Sequence, residues 1–513
     1  MPTQFPHSCT LERLNELAGG RLVGETTAGA TEISAIGLDS SQLPADAIFA
    51  ALPGTKTHGA HYASQGKAAA ALAVLSDHEG TQILVDSGEK RPIIEVDDVR
   101  RVLGILSAEI YGHPSHEMTI IGVTGTSGKT TTSYILERGL MGAGLHVGLI
   151  GTTGTRINGR KVPTKLTTPE APTLQQLFSQ MKAEGVSHVV MEVSSHALAL
   201  GRVTGTRFSA AGFTNLSQDH LDFHPTMQEY FEAKALFFDP ASPIHAEKSV
   251  VCVNDLWGKN MAERAGADAI TVCTEQEAAA HQADYWVSNI DVNPVGAQSF
   301  IVHHGAQSTD VHLPLPGGFN IANTVVALAL AESVGVDKDA FIRGIADVAV
   351  PGRMERIDRG QEFLAVVDYA HKPAAVAAVI DTVRDQVPGR IAVVVGAGGD
   401  RDSGKRPIMG AEAARRADLV IVTDDNPRSE DPAKIREAVL EGAHGVAGSA
   451  DIREIGDRRE AIRIAVQWAQ PGDAVIVAGK GHEVGQLING VDHHFDDREE
   501  VAAALHDQGF DLD

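Results

Sequence analysis

The stretch from Met118 to Met141, MTIIGVTGTSGKTTTSYILERGLM, constrains the fold of this chain more than any other. Thr119–Val123 is a run of β-branched and apolar residues that predicts a buried parallel strand. The loop that follows is bracketed by Gly125 and Gly128, and apolar residues then recur at helical spacing. A strand, a glycine turn and a helix N-terminus form a cradle for an anion, because free backbone N–H groups and the positive end of the helix dipole converge there. The sequence therefore predicts a phosphate-binding loop (P-loop) within an α/β domain.

Lys129 and Thr130 follow the second glycine directly and give the loop its chemistry. In P-loops the lysine reaches the outer phosphates and the hydroxyl ligates Mg²⁺. The usual pattern has a glycine five residues before Gly128, where this chain has Val123. We therefore interpret the loop as a short form, Gly-x-x-Gly-Lys-Thr. The residues expected to contact phosphate are Gly125, Thr126, Ser127, Gly128, Lys129, Thr130 and Thr131.

Composition and charge exclude several classes of protein. Apolar residues make up 43% of the chain and charged residues 21%, which is typical of a globular protein. The formal net charge of −24 argues against nucleic acid or an anionic membrane as the main partner. The three cysteines are scattered, which argues against a disulfide scaffold or a thiolate metal site. Since the chain has neither a leader pattern nor an apolar run near the roughly 20 residues of a membrane helix, we expect a cytoplasmic protein without membrane insertion.

The order of strands and helices changes at two places, and 513 residues suffice for about three domains. Residues 1–117 have an α/β pattern and precede the P-loop strand. Residues 118–352 are predicted to form a P-loop domain with a parallel sheet. In residues 353–513 each predicted strand ends in a glycine-rich or charged loop, which indicates a doubly wound, Rossmann-like sheet with its site at the strand C-termini.

Some local elements can be predicted outside the P-loop. We expect a capped helix near Thr10–Ala18, a strand at Ala45–Leu52 and an alanine-rich helix at Tyr62–Ala71. The segment Asp400–Arg406 is too charged for a helix packed against its strand. The pair His493-His494 lacks a third ligand at helical spacing, so we expect it to be exposed to solvent.

Polar side chains extend the P-loop site. The predicted strand His188–Val193 carries Glu192 near its carboxyl end, where open α/β sheets bind ligands. Because Mg²⁺ prefers oxygen ligands, a carboxylate beside Thr130 would complete a metal site. His220 is a second candidate, although a lone histidine is also compatible with a structural, hydrogen-bonded role.

Two arginines lie on loops that follow strands of the third domain. Arg401 comes after Ile391–Val395, and Arg428 comes after Leu419–Thr423. A guanidinium at a strand end is suited to bidentate recognition of a carboxylate. Surface arginines occur at such positions too, so the residues alone leave both interpretations open.

Motifs spread from Gly37 to Arg498 resemble those of the Mur ligases, the ATP-dependent amide-forming enzymes of peptidoglycan precursor synthesis. In chain order they are GTSGKTTT, TTPE, MEVSSHAL, FTNLSQDHLDFH, EYFEAKALFF, GGFNIANT, GRMERI, VDYAHKP, GAGGDRDSGKRPIMG, TDDNPR, AGKGHE and FDDRE. The resemblance implies three domains: an N-terminal α/β domain that binds UDP, a central P-loop ATPase-like domain, and a C-terminal Rossmann-like domain that binds an amino acid.

The resemblance also implies a reaction. ATP would convert the D-glutamate γ-carboxylate of UDP-N-acetylmuramoyl-L-alanyl-D-glutamate to an acyl phosphate, and an amine would attack it through a tetrahedral intermediate. Mg²⁺ would offset the charge of triphosphate and carboxylate. The sequence Asp425-Asn-Pro-Arg428 is the family's mark for meso-2,6-diaminopimelate. The implied partners are therefore these small molecules and ATP. We expect the protein to be a monomer.

The family's functional residues can be carried over by motif. The implied catalytic and metal set is Lys129, Thr130, Glu192, His220 and Lys234, with Lys234 converted by CO₂ to a carbamate. The implied ATP contacts outside the loop are Asn320, Asn323, Arg353, Asp368 and His371. Residues implied to bind the UDP-muramoyl dipeptide are Ser40, Thr57, His58, Gly59, Thr167, Thr168, Ser194 and Arg202. Those implied to bind diaminopimelate are Arg401, Asp425, Asn426, Arg428, Gly479 and Glu483.

The chain departs from the family's usual residues at a few positions. Ser41 stands where arginine is common, Ser127 replaces an asparagine, and Lys372 replaces a threonine or asparagine. We expect none of these changes to touch the metal or arginine residues.

Other functions explain less of the sequence. A lysine-adding Mur ligase would depart from the Asp-Asn-Pro-Arg motif at the arginine, and a folylpolyglutamate synthetase would leave the first domain unexplained. A P-loop kinase or GTPase would use Lys129 equally well but would leave the third domain idle. A nucleotide-sensing module would not need Glu192, His220 and Lys234 together.

Overall fold

The computed structural model describes residues 7–24, 29–54, 56–164, 166–275, 282–293, 296–448 and 450–511. Within them the main strands form three large sheets that follow one another along the chain, each with helices packed on it. The α/β class is therefore confirmed. The predicted domain boundaries after residues 117 and 352 fall between consecutive sheets, and as boundaries they stay predictions.

The N-terminal sheet forms from short apolar strands. Its region contains β1 (Cys9–Thr10), α1 (Leu11–Ala18), β2 (Arg21–Val23), β3 (Glu32–Ile33), β4 (Ala35–Gly37), β5 (Ala47–Ala51), β6 (Ala73–Ser76), α2 (His78–Asp86), β7 (Ile93–Glu95) and α3 (Val99–Ile110). The order of the described strands is β2-β7-β6-β5-β4, parallel except where β2 pairs with β7. All residues of β5 are buried, as expected for a strand covered on both faces.

Two local predictions in this region are confirmed. The helix near Thr10–Ala18 begins after Thr10, whose hydroxyl accepts a hydrogen bond from the Arg13 N–H at 3.2 Å. It ends at Gly19, which takes the left-handed conformation with φ of 58°. The strand expected at Ala45–Leu52 is β5.

The alanine-rich helix predicted at Tyr62–Ala71 is wrong. The segment forms two 3₁₀ turns, Gly59–Tyr62 and Gly66–Ala70. Gly66 has a left-handed φ of 53°, and the two N–H groups after it donate to the Ser40 carbonyl at 2.7 and 3.0 Å. Since these donors are engaged outside the segment, an α-helix cannot continue through it.

The central sheet surrounds the P-loop strand. Its strands are β8 (Thr119–Thr124), β9 (Val147–Gly151), β10 (Gly154–Ile157), β11 (Arg160–Val162), β12 (His188–Glu192), β13 (Ala210–Phe213), β14 (Ser249–Cys252), β15 (Ile270–Cys273), β16 (Tyr285–Val292), β17 (Gln298–His304) and β18 (Gln307–Leu313). Its helices are α4 (Lys129–Gly142), α5 (Ala171–Ala183), α6 (Ser195–Ala199), α7 (Met227–Ala235), α8 (Leu256–Ala265), α9 (Gly318–Ser333) and α10 (Lys338–Ile345). Helices α4, α9 and α10 pack on one face, and α5, α7 and α8 on the other.

The central strands are parallel in the middle of the sheet and antiparallel at both ends. The order of the described strands is β11-β10-β9-β12-β8-β13-β14-β15-β16-β17-β18. Pairs from β9 to β16 are parallel, whereas β10, β11, β17 and β18 are antiparallel to their neighbours. The predicted parallel sheet is confirmed for its middle strands, and the antiparallel extensions were not predicted.

The C-terminal sheet is doubly wound, as predicted. Its region contains β19 (Glu355–Arg356), β20 (Leu364–Asp368), α11 (Pro373–Arg384), β21 (Ile391–Val395), α12 (Lys405–Arg416), β22 (Leu419–Val422), α13 (Pro432–His444), β23 (Asp451–Glu454), α14 (Arg458–Trp468), β24 (Ala474–Ala478), β25 (Gly485–Ile488), β26 (Val491–His494) and α15 (Asp497–His506). The order of the described strands is β19-β20-β24-β21-β22-β23, parallel apart from β19. Helices α11, α12 and α13 cover one face, and α14 and α15 the other.

The charged segment Asp400–Arg406 has a different structure from the one predicted. Helix α12 begins inside it, at Lys405, and both Lys405 and Arg406 are buried. The Arg406 guanidinium donates to Glu430 at 2.8 and 2.9 Å, and that pairing permits its burial. The histidine pair at 493–494 is exposed, as predicted.

The first two sheets are joined by packing of α3 against α5. Arg100 of α3 pairs with Glu170 at 3.5 Å, and the Gly104 backbone lies so close to Thr204 that a Cβ there would collide with it. In the described ranges, no helix is both long enough and apolar enough to cross a bilayer.

Candidate active site

The P-loop lies at the carboxyl end of the middle of the central sheet. Strand β8 is flanked by β12 and β13, so Glu192 pairs in register with Val123 and Phe213 with Thr124. Gly125 and Gly128 have φ of 145° and 88°, and α4 starts directly after the second. The predicted strand, glycine turn and helix are therefore confirmed.

Both loop glycines are required by their surroundings as well as by their backbone angles. A Cβ at Gly125 would collide with the Thr214 hydroxyl, and a Cβ at Gly128 would collide with the Asn323 amide oxygen. The loop backbone is held from β13, since the Ser127 N–H donates to Asn215 Oδ1 at 2.9 Å. Ser127 uses its main chain for these contacts, which explains why its side chain can differ from the family's asparagine.

The Lys129 ammonium lies against the loop that it follows. Its Nζ donates to the Gly125 carbonyl at 2.8 Å and to the Thr126 carbonyl at 3.0 Å. Burial, and next to it the charge of Lys372, lower the pKa of this ammonium to about 8. An anionic ligand here would restore the ammonium's ordinary pKa.

Glu192 and Thr130 form the oxygen-rich part of the site. The Thr130 hydroxyl contacts both Glu192 carboxylate oxygens, at 3.0 and 3.1 Å. Thr152 donates to the same carboxylate from its N–H at 2.9 Å and its hydroxyl at 3.0 Å. Glu192 is 1% exposed. A buried carboxylate beside a hydroxyl at the start of a P-loop helix is a donor set that fits Mg²⁺.

Lys234 is buried in α7 next to the P-loop strand. Its Nζ donates to the Gly125 carbonyl at 3.0 Å and the Thr124 hydroxyl at 3.3 Å, and it lies 4.7 Å above the centre of the Tyr230 ring. Burial lowers the pKa of this amine well below its ordinary value, and the charge of Lys129 adds to the effect. A neutral amine is the form that reacts with CO₂, so Lys234 fits the carbamate role.

His220 approaches the site from the loop after β13. Its backbone has a left-handed φ of 55°, and its Nε2 lies 3.2 Å from Asp219 Oδ2. Burial lowers the pKa of His220 to about 3, so its ring is neutral and has a free lone pair for a metal. Among the described residues no hydrogen bond joins His220 or Lys234 to Thr130 or Glu192. No group of three or more His, Cys, Asp and Glu in these ranges could hold a metal alone.

Two asparagines and an arginine reach the P-loop from other elements. Asn320 and Asn323 are buried at the start of α9 and are joined by a 3.0 Å hydrogen bond. The Arg353 guanidinium donates to the Thr130 hydroxyl at 3.2 Å and lies 4.2 Å from the centre of the Tyr369 ring. The structure thus brings Asn323 and Arg353 to the P-loop, and Asn320 is hydrogen-bonded to Asn323.

Asp368 is the last residue of β20, and His371 lies on the loop that follows. The Asp368 carboxylate accepts hydrogen bonds from the Met354 and Ala370 N–H groups, both at 2.7 Å, and burial raises its pKa. His371 Nδ1 lies 2.8 Å from the Tyr369 carbonyl. Burial lowers the pKa of His371 well below its ordinary value, so the ring is neutral.

The residues implied to hold the muramoyl dipeptide surround the end of β12. The Thr168 hydroxyl donates to the Glu192 carbonyl at 2.8 Å and accepts from the Ser194 N–H at 3.1 Å. Arg202 Nη1 donates to the Thr168 carbonyl at 3.3 Å. Thr167 lies 3.2 Å from the Thr152 hydroxyl. This group is therefore continuous with the carboxylate beside the P-loop.

The residues implied to bind UDP belong to the N-terminal sheet. His58 caps the turn Gly59–Tyr62 by accepting from the Ala60 N–H at 3.0 Å, and its other ring nitrogen lies 3.1 Å from Asp77. The Gly59 N–H donates to the Leu52 carbonyl at 2.8 Å. Thr57 is exposed. The Ser40 carbonyl accepts hydrogen bonds from the turn Gly66–Ala70. These are turn contacts, and the role of the residues in binding UDP stays a prediction.

The residues implied to bind diaminopimelate converge at the carboxyl ends of β22 and β24. Asn426 Nδ2 donates to Glu483 Oε2 at 2.9 Å, and a Cβ at Gly479 would press on the Asp425 carboxylate. Burial raises the pKa of Glu483, with the charge of Asp425 as the next cause. These four residues, two of them carboxylates, form one wall at the carboxyl edge of the C-terminal sheet.

Arg428 and Arg401 lie beside that wall. Arg428 has a left-handed φ of 53° and donates from Nη1 to the Gly399 carbonyl at 2.7 Å. The Arg401 side chain is exposed and passes close to Gly398. The structure therefore brings both arginines to the glycine-rich loop after β21.

Several residues at the site were not predicted from the sequence. They are Thr152, Asp219, Lys372, Lys405, Lys480 and His482. Most follow a buried strand within a few positions, and charge directly after such a strand is the signal that could have identified them. Lys480 is fully buried and donates to Asn426 Oδ1 at 3.1 Å, and His482 hydrogen-bonds to the Thr152 backbone.

Lys372 contacts the P-loop, although no hydrogen bond or ion pair of the described residues joins it to the predicted metal or arginine residues. Its ammonium donates to the Thr126 carbonyl of the P-loop at 2.8 Å and pairs with Asp219 at 2.9 Å. It is also one of the charges that lower the pKa of His220. The cause is the closeness of the loop after β20 to the P-loop, which sequence alone does not reveal.

Comparison with protein families finds matches along most of the chain. Residues 32–111 match the family described as "Mur ligase family, catalytic domain", residues 123–331 the "Mur ligase middle domain", and residues 352–481 the "Mur ligase, glutamate ligase domain". These segments coincide with the three sheets.

Individual proteins give the same result. A UDP-N-acetylmuramoyl-L-alanyl-D-glutamate--2,6-diaminopimelate ligase of Corynebacterium glutamicum is 65% identical over 93% of this chain and 92% of its own. The enzyme of that name from Streptomyces coelicolor is 43% identical over 93% of each chain. A solved structure of the same name has a TM-score of 0.67 and 33% identity over 98% of this chain and 99% of its own. A Mycobacterium tuberculosis folylpolyglutamate synthase has a TM-score of 0.58 at 19% identity, covering 79% of this chain and 94% of its own, which shows likeness of fold alone.

Proposed function

Since the chain belongs to the Mur ligase family, we propose that it joins meso-2,6-diaminopimelate to UDP-N-acetylmuramoyl-L-alanyl-D-glutamate at the expense of ATP. The observation that carries this proposal is that side chains of the C-terminal region contact the P-loop of the central sheet. Arg353 and Lys372, from the C-terminal region, contact Thr130 and Thr126 of the central sheet. One site can therefore receive phosphate from the central sheet and an amine from the C-terminal sheet.

The first half of the reaction activates a carboxylate. An oxygen of the D-glutamate γ-carboxylate attacks the γ-phosphorus of ATP, the bond from that phosphorus to the β–γ bridging oxygen breaks, and ADP leaves. Lys129 and the N–H groups of Gly128, Lys129 and Thr130 hold the phosphates, because these groups lie at the positive end of α4. Arg353 neutralises charge on the outer phosphate.

Magnesium would be held by Thr130 and Glu192, with His220 and the Lys234 carbamate as further ligands. It would supply charge neutralisation between the triphosphate and the carboxylate. The carbamate would form because Lys234 is kept as a neutral amine beside the Thr124 hydroxyl and the Gly125 carbonyl. Burial of this side chain also protects the carbamate from water.

The second half of the reaction uses the C-terminal pocket. The free amine of diaminopimelate attacks the acyl carbon, a tetrahedral intermediate forms, and inorganic phosphate leaves as the amide closes. The far end of diaminopimelate carries an ammonium and a carboxylate. Arg428 and Arg401 bind that carboxylate, while Asp425, Glu483 and the Asn426 amide bind the ammonium.

The remaining partners follow from the same assignment. UDP is bound by the N-terminal residues Ser40, Thr57, His58 and Gly59, and the dipeptide by Thr167, Thr168, Ser194 and Arg202. The chain acts as a monomer in the cytoplasm, where ATP is supplied.

The test is an acceptor panel. Purified protein receives the UDP-muramoyl dipeptide, ATP and Mg²⁺ with diaminopimelate, lysine or ornithine, and phosphate release is measured together with the mass of the peptide product. We expect turnover with diaminopimelate and at most traces with the other two. Turnover with lysine but not diaminopimelate would instead identify a lysine-adding ligase.

A matched pair of variants tests which residues bind the amine acceptor. Arg428→Asn suits the left-handed backbone at that position and removes the guanidinium. We expect KM for diaminopimelate to rise about 10- to 100-fold with KM for ATP unchanged, because a charged contact contributes roughly 1.5–3 kcal/mol. Arg453→Asn, at a half-buried arginine of β23, is the control and should leave both constants unchanged. An equal rise of both constants in Arg428→Asn would refute the placement.

A further inference from the structure

Lys372 extends from the C-terminal region into the P-loop. It directly precedes α11 and is 7% exposed. Its Nζ donates to the Thr126 carbonyl at 2.8 Å, and its partner Asp219 also belongs to the central region, at 2.9 Å. The side chain therefore makes its polar contacts with a different sheet from the one that carries it.

Lys372 and Lys129 share a hydrogen-bond acceptor. The Thr126 carbonyl accepts from Lys129 at 3.0 Å as well as from Lys372. The two ammonium nitrogens are thus no farther apart than the sum of those two distances. Any phosphate that Lys129 binds at this loop lies within reach of Lys372.

Positive charge outweighs negative charge around these two lysines. Lys405 also approaches Asp219, at 3.7 Å, and Arg353 lies beside Thr130. Asp219 is shared by two of these cations, Lys372 and Lys405. A buried ammonium whose other partner is a neutral carbonyl is poorly compensated for its loss of water, so an anion placed here is strongly favoured.

Helix α11 lacks a side-chain N-cap because Lys372 occupies the N-cap position. The residue before α11 holds the N-cap position, where threonine or asparagine accepts a hydrogen bond from the first turn. A lysine has no acceptor atom, and α11 has no side-chain cap bond. A capping residue at this position would make the start of α11 more stable than a lysine does. The contact with the central sheet is therefore the feature that explains the presence of Lys372.

We propose that Lys372 is a second phosphate-binding lysine, which contacts the γ-phosphoryl group of ATP as it passes to the substrate carboxylate. This inference rests on the proposed function. The ammonium transfers no proton. It neutralises charge on the phosphoryl oxygens while the bond to the bridging oxygen breaks and the bond to the carboxylate oxygen forms. Because Lys372 comes from the C-terminal region, phosphoryl transfer requires that region to be docked on the P-loop.

The experiment compares two nucleotides that differ in the γ-phosphate. Affinities for ADP and for the non-hydrolysable analogue AMP-PNP are measured by calorimetry with Mg²⁺ and the UDP-muramoyl dipeptide present. In Lys372→Thr, we expect ADP affinity to stay within about twofold and AMP-PNP affinity to fall about 10- to 100-fold. We expect kcat to fall by at least as much. Lys372→Arg, which keeps the charge, should recover part of both losses.

The control is Lys434→Thr, the same change at an exposed lysine of α13. If Lys372→Thr matches this control in the affinity ratio and in kcat, the inference is wrong. An equal loss of both nucleotides would also overturn it and would assign Lys372 to docking of the two sheets alone. The ratio does not depend on the amine acceptor, so failure of the wild-type protein to use diaminopimelate would count against the proposed function and not against Lys372.

Discussion

Lys234 illustrates how burial changes the chemistry of one residue. A lysine on the surface is protonated at neutral pH and does not react with CO₂. Lys234 is 1% exposed, near Lys129, and its amine pKa is lowered well below the ordinary value. The same surroundings that make its ammonium unfavourable make a carbamate feasible, since the Thr124 hydroxyl can donate to the new carboxylate.

Removal of this amine should abolish ligation and leave folding intact. We expect Lys234→Ala to lose at least about 100-fold in kcat, because the ligand it would supply is gone, and to regain part of it with small carboxylic acids. Steady-state kinetics with and without added acetate or formate measure the effect. Lys259→Ala, at an exposed lysine of α8, is the control. Full activity of Lys234→Ala without any added acid would refute the carbamate.

Single residues also show where sequence reasoning reaches its limit. Glu192, Lys129 and Thr130 could be assigned because a strand end and a P-loop fix their positions in space. Lys372 could not, because its partners Thr126 and Asp219 lie on another sheet. Motif spacing carries no information about such a contact.

At the level of elements, the P-loop turn depends on Gly125 for its backbone angle and for the close approach of Thr214. Gly125→Ala should abolish nucleotide binding, because its Cβ would collide with the Thr214 hydroxyl that holds the loop. Gly144→Ala is the matched control, since Gly144 also has a positive φ, of 81°, but has open space around it. Both variants should lose some stability, about 1–2 kcal/mol from the backbone alone. ADP calorimetry beside thermal unfolding separates the effects, and normal ADP affinity in Gly125→Ala would contradict the account.

The 3₁₀ turns of the N-terminal sheet give a pH-dependent prediction. Arg91 donates to the carbonyls of Ala63 and Ala68, and the Arg91 guanidinium lowers the pKa of Glu89 to about 2. Since the folded pKa of Glu89 lies below the ordinary value near 4.3, its contribution to stability is present above that pH and is lost as the pH falls toward 2. Glu89→Gln should therefore lower Tm at pH 7 and have little effect near pH 2.5.

Thermal unfolding at both pH values tests this sign. Glu79→Gln, in the first turn of the neighbouring helix α2, is the control. A Tm difference between wild type and Glu89→Gln that grows toward acid pH would contradict the assignment.

Elements were predictable where local signals agreed. Strand β21 has the predicted bounds because its apolar run ends in a glycine loop. The helix predicted at Tyr62–Ala71 does not form because the carbonyl of Ser40, distant in sequence, accepts hydrogen bonds from N–H groups of this segment. The start of α12 was missed because Glu430, far along the chain, compensates the charge of Arg406. Both predictions were wrong because contacts with residues far away in the sequence determine the structure there.

At the scale of the whole molecule, the three sheets supply different parts of one reaction. The P-loop is at the strand ends of the second sheet, and the Asp425–Arg428 loop is at the strand ends of the third. Arg353 and His482 come from the third region and contact Thr130 and Thr152 beside Glu192. The sequence predicted each sheet and its loops, whereas their mutual arrangement required the structure.

In the proposed reaction a carboxylate is phosphorylated at the P-loop, and an amine held by the C-terminal sheet then attacks it. The most direct test labels both oxygens of the D-glutamate γ-carboxylate with ¹⁸O and follows ligation of diaminopimelate by mass spectrometry. An acyl phosphate requires one labelled oxygen to leave with phosphate for every amide formed. We expect one ¹⁸O in each phosphate and one in each tripeptide product. Unlabelled phosphate, or labelled phosphate without tripeptide when diaminopimelate is present, would contradict the proposed reaction.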